Sequence, residues 1–105
     1  MGTPAFMSPE QAAGLGGVDA RSDIYSLGAV GYFLLTGRPP FVQNSAVETM
    51  AAHLNVAIVP PHELVGTIPV EVDVIIVRCL EKNHDDRFAD IAALEADLAL
   101  CGRPP

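Results

Sequence analysis

The sequence predicts an all-α fold, and three observations carry that prediction. Five stretches combine a helix start signal with apolar residues at helical spacing. One of them, from Ile24 to Leu35, is apolar on nearly every face. No other segments alternate convincingly enough to build a sheet. About five helices around a buried central helix is the expected architecture.

The first helix is announced by Ser8-Pro9-Glu10-Gln11. This is a capping box, with Ser8 at the N-cap, Pro9 at N1 and Gln11 at N3. Gly14, Gly16 and Gly17 follow quickly, so that helix is short. The second is expected from Ser22 or Asp23 to Thr36. Gly37 suits the left-handed position after its end, and Pro39-Pro40 bar continuation. A helix apolar all round is wrapped by protein. Its roughly 12 apolar residues fall well short of the ~20 needed to cross a bilayer. Gly28 and Gly31 permit close approach of another element, at ~1 kcal/mol each relative to Ala.

Ser45-Ala-Val-Glu48 reads as a second capping box, with Val47, Met50, Ala51 and Leu54 as the buried stripe of the third helix. A proline-rich loop is expected from Val56 to Pro69. The fourth segment has two readings. Val70-Glu-Val-Asp-Val74 alternates like a strand, but Val72, Ile75, Ile76, Cys79 and Leu80 keep helical spacing for longer, and Pro69 suits N1. Helix is the expectation. The fifth follows Asp90 as N-cap, with Ile91, Leu94 and Leu98 on one face.

At 105 residues this is one domain or part of one. Six Lys and Arg against 13 Asp and Glu leave a net charge of −7 with no basic stripe. Nucleic acid and acidic membranes are therefore not expected partners. Cys79 and Cys101 fall in helical patterns without a C-x-x-C. Structural thiols in a reducing, cytoplasmic compartment are the expectation. No signal peptide is expected, and Phe6 stands where an N-myristoylation motif needs Ser or Thr.

His53, His62 and His84 lie in unrelated contexts and are expected on the surface or in loops. Asp85-Asp86 is expected to be a solvated turn. G-x-G-x-x-G, Walker, H-E-x-x-H and G-x-S-x-G motifs are all missing from the chain. No catalytic residue and no metal ligand is expected in it.

Four blocks nevertheless share one resemblance. Gly2-Thr-Pro-Ala-Phe-Met-Ser-Pro-Glu10 resembles the end of a protein-kinase activation segment, which closes in an A-P-E-type motif. Asp19-Ala-Arg-Ser-Asp-Ile-Tyr-Ser-Leu-Gly28 is similar to the start of that family's central F helix, and Leu35-Thr-Gly-Arg-Pro-Pro-Phe41 to its exit. Cys79-Leu-Glu-Lys-Asn-His-Asp-Asp-Arg-Phe88 is similar to the turn between its H and I helices. The blocks keep the family's order and cover nearly the whole chain. Gln11 and the wording S-D-I-Y-S-L-G most resemble bacterial, eukaryotic-like Ser/Thr kinases.

The resemblance implies a kinase C-lobe from the P+1 loop onward over residues 1–102, with 103–105 opening a linker. Gly2, Thr3, Pro4 and Phe6 would line the P+1 substrate loop, and Thr3 would bond the catalytic aspartate. Asp23, which also suits a simple N-cap, would hold the catalytic loop through its backbone amides. Glu10 and Arg87 would form a buried ion pair whose disruption costs ~3–5 kcal/mol. Phe6 replaces a common Tyr, and His84 a frequent Pro.

The glycine-rich loop, the strand lysine, H-R-D and D-F-G are not in this chain. ATP and Mg2+ would belong to the intact parent, whose implied function is phosphorylation of protein Ser/Thr. Implied partners are protein substrates or the kinase's N-terminal portion. Without the catalytic loop, the central helix is expected to have an uncovered apolar flank. The alternative is a non-catalytic helical module that docks substrates or partners.

Overall fold

A computed structural model describes residues 4–14 and 19–101. The expected linker at 103–105, together with Gly2 and Thr3, lies outside them. The described residues are helical or irregular, without strands. After a 3-10 turn at Pro4–Phe6, the helices are α1 (Pro9–Ala12), α2 (Ala20–Thr36), α3 (Ala46–Asn55), α4 (Pro61–Leu64), α5 (Val70–Cys79) and α6 (Ile91–Leu100). A further 3-10 turn, His84–Asp86, joins α5 to α6.

Helix α2 is the organising element, and its start differs from expectation. Asp19, not Ser22 or Asp23, is the N-cap, its carboxylate accepting the Ser22 N–H at 2.9 Å. The helix ends at Thr36, with Gly37 left-handed at φ 83°.

Two apolar clusters pack along α2. Ile24 joins Ile75, Cys79, Phe88 and Leu94, while Tyr25, Ala29 and Tyr32 join Ile76 and Leu80. Both draw on α5, which confirms the helical reading of that segment, although Pro69 is its N-cap and not N1. Close packing of α2 on α5 depends on a missing side chain. A Cβ on Gly28 would overlap Cys79 Cβ. The flank of α2 carrying Leu27, Val30 and Leu34 stays open, with Leu34 75% exposed. With Gly31, Ile75 and Leu98 these residues line an apolar groove.

Three local expectations are corrected. In α3 the buried residues are Thr49, Ala52 and His53, whereas Val47 is 75% exposed and Ala51 and Leu54 are also outward. Polar groups occupy that inner face because each has a partner. Thr49 accepts the Gln43 N–H at 3.1 Å, and His53 is bonded at both nitrogens. Ser45 caps α3 through the Glu48 N–H, half of the expected box.

In the proline-rich stretch a short helix, α4, stands where a loop was expected, and Asp73, on α5, accepts its His62 N–H at 2.9 Å. In α6 only Leu94 of the expected face is buried, whereas Ile91 and Leu98 stay 41% and 44% exposed.

Candidate functional site: the loop before α1 and its anchors

The segment from Pro4 to Glu10 is shaped first by its own sequence. The Met7 N–H bonds the Pro4 carbonyl at 3.3 Å and closes the 3-10 turn. Ser8 then caps α1. Its hydroxyl accepts the Gln11 N–H at 3.2 Å, while the Gln11 side chain accepts the Ser8 N–H at 3.0 Å. Pro4 and Phe6 are half-buried, and the Phe6 ring meets Phe33 edge-on at 6.2 Å.

Glu10 sits in the first turn of α1, and Arg87 reaches it from 77 positions away in sequence. The Arg87 side chain is fully buried and that of Glu10 20% exposed. The contact is bidentate, at 2.8 Å to Oε2 and 2.9 Å to Oε1. Ser22 donates a further bond to Oε2 at 2.6 Å. The remaining Arg87 donors go to the carbonyls of Glu81, Arg21 and Lys82, at 2.7, 3.0 and 3.1 Å. Burial by itself would raise the pKa of Glu10. The bonds from Arg87 and Ser22 outweigh it and hold the pKa at about 2.

Asp23 lies elsewhere. It is exposed one turn into α2, and its backbone N–H bonds the Asp19 carbonyl at 3.1 Å. Its side chain has no partner among the described residues, so the cap belongs to Asp19. Arg21 pairs with Asp85 at 2.9 Å on the surface, a contact worth ~0–1 kcal/mol.

Two contributors were not legible in the sequence. His53, expected on the surface, is fully buried and bonds both Tyr25 and the Pro4 carbonyl. Its only local signal is the spacing Thr49, Ala52, His53. Lys82 donates to the His53 carbonyl at 2.9 Å, at the end of α3 where carbonyls run out of helical donors, and more weakly to the Ala52 carbonyl at 3.4 Å, which also accepts the Val56 N–H. His62 and His84 are half-exposed. Cys79 is buried, which pushes its thiol up to about 12 and makes it inert, while Cys101 is half-buried.

No group of three or more His, Cys, Asp or Glu side chains converges among the described residues. Nor, among them, is any helix long and apolar enough to cross a membrane.

An all-helical body built on one central helix, with a carboxylate after the loop locked to an arginine before the last helix, defines a protein-kinase C-lobe. The protein kinase domain family matches residues 1–98, and the chain belongs to that family. It is 42% identical over 107 residues to the serine/threonine-protein kinase PknB of Mycobacterium leprae, and 44% identical over 98 residues to PknB of Mycolicibacterium smegmatis. It is 43% identical over 94 residues to the serine/threonine-protein kinase PksC of Streptomyces coelicolor. These matches cover 100%, 93% and 90% of the chain, but only 17%, 16% and 17% of those relatives. Such similarity favours the kinase reading over the docking module.

Proposed function

We propose that this chain forms the substrate-side half of the C-lobe of a cytoplasmic serine/threonine protein kinase. In that reading residues 1–102 are C-lobe and the loop from Gly2 to Ser8 is the P+1 loop. Gly2, Thr3, Pro4 and Phe6 face the substrate residue after the phosphoacceptor. Thr3 bonds the catalytic aspartate, and exposed Asp23 holds the catalytic loop. ATP and Mg2+ are bound by residues outside this chain, and the partners are protein substrates. Bonding of Arg87 to Glu10 carries the proposal, because it aligns the loop on the scaffold in the way a substrate platform requires.

The test is a chimaera in which this chain replaces the matching segment of the M. smegmatis PknB. Phosphorylation of Ser/Thr peptides is expected, with the preference at the residue after the phosphoacceptor altered by Phe6→Ala. A folded chimaera that binds ATP and phosphorylates no peptide would overturn it.

A further inference from the structure

His53 bridges three parts of the molecule. It stands on α3, 49 positions from Pro4 and 28 from Tyr25 in sequence. Its Nε2 lies 2.9 Å from the Pro4 carbonyl oxygen, and its Nδ1 lies 2.7 Å from the Tyr25 hydroxyl. A carbonyl oxygen only accepts, so Nε2 carries the proton. In the neutral ring Nδ1 then accepts from the tyrosine. The rings of Phe41 and Tyr25 stand edge-on to the imidazole, with centroids at 5.1 and 5.5 Å. Pro4 O thus accepts both the Met7 N–H that closes the turn and the His53 N–H that ties the turn to α3.

We infer that His53 is a positioning residue for the loop before α1, holding its first described residue while Arg87 holds Glu10 in the first turn of the helix that follows it. Tyr25 joins the two anchors. Its hydroxyl is bonded to His53, and the Arg87 guanidinium lies 5.0 Å from its ring centroid. With Pro4 and the start of α1 both tied to one buried tyrosine, the turn between them is presented in a single conformation. Any consequence for substrate choice rests on the P+1 reading, whereas the anchoring of the loop does not.

The test uses this chain as it stands. Long-range 15N–1H spectra at neutral pH should show His53 protonated at Nε2 and bare at Nδ1. Hydrogen exchange at the Met7 amide should speed about five- to tenfold in His53→Leu relative to the α5 amides, the equivalent of one hydrogen bond. His53→Gln, whose side-chain amide can donate to the same carbonyl, should restore most of that protection.

An Nδ1-protonated ring overturns the inference, and so does equal Met7 exchange in the Leu and Gln variants. If His53→Leu does not fold, the ring protonation and the Met7 protection of His53→Gln decide. A PknB chimaera that phosphorylates nothing while these signals hold counts against the substrate reading alone. Lost signals with phosphorylation retained count against His53 alone.

Discussion

Arg87 has five N–H donors and all five are bonded, two of them to the carboxylate of Glu10. A buried guanidinium is tolerable only under this condition, since its transfer from water is otherwise prohibitive. The pair therefore joins the start of α1 to the turn before α6, and three carbonyls join the same knot.

Arg87→Ala should destabilise the chain by about 3–5 kcal/mol in urea unfolding, because it strands the Glu10 carboxylate and three carbonyls together. Arg87→Lys should recover little, as an ammonium has three donors and no fork. A double-mutant cycle with Glu10→Ala should give a coupling of about 2 kcal/mol. Coupling near zero would mean a solvated pair.

The same carboxylate sets an acid limit. Glu10 titrates at about 2 in the folded chain against an ordinary 4.5. The unfolded chain therefore binds the extra proton first as the pH falls. The contribution is complete above pH 4.5 and is lost as the pH falls toward about 2. Glu10→Gln should flatten that part of the stability–pH curve while lowering stability at neutral pH.

His53 sets a milder dependence near neutrality. Burial lowers its pKa from the ordinary 6.5, bonding to the Pro4 carbonyl opposes this, and the Lys82 charge assists it. The groups around it are Tyr25 on α2, Lys82 after α5, and Arg87 with Glu10 beyond the tyrosine ring. The unfolded histidine takes its proton at higher pH than the folded one. This contribution is thus full above pH 6.5 and declines as the pH drops below it. Comparing thermal melts of the wild type and His53→Gln across that range isolates it from His62 and His84.

Two glycines one turn apart should respond differently. At Gly28 a methyl group collides with Cys79 Cβ, which moves only with α5 itself. Gly28→Ala should cost about 1–3 kcal/mol despite better helix propensity. At Gly31 the obstacle is the tip of Ile76, 2.9 Å away, which can rotate. The propensity gain of ~1 kcal/mol should leave Gly31→Ala near neutral or stabilising. Parallel denaturant melts decide between them.

The open flank of α2 should show itself in solution. Leu34→Glu lies on an exposed position, so unfolding free energy should change by less than about 0.5 kcal/mol. Binding of an apolar-surface dye and self-association should both fall. An unchanged dye signal would mean that the groove is covered.

Helix class and many helix ends could be read from residues next to one another. Ser8, Pro9 and Gln11 cap α1, Gly37 ends α2, and Asp90 starts α6, all as neighbours in sequence dictate. Spacing likewise identified α5 through Ile75, Ile76 and Cys79. Only the tertiary structure decided which polar residues go inside. Thr49 and His53 displaced Val47 and Leu54 from the inner face of α3, and α4, bonded to Asp73, formed where proline suggested loop. Periodicity counts apolar side chains, but a buried polar group is tolerated or excluded according to its bonding partner. For His53 those partners lie 28 and 49 residues away.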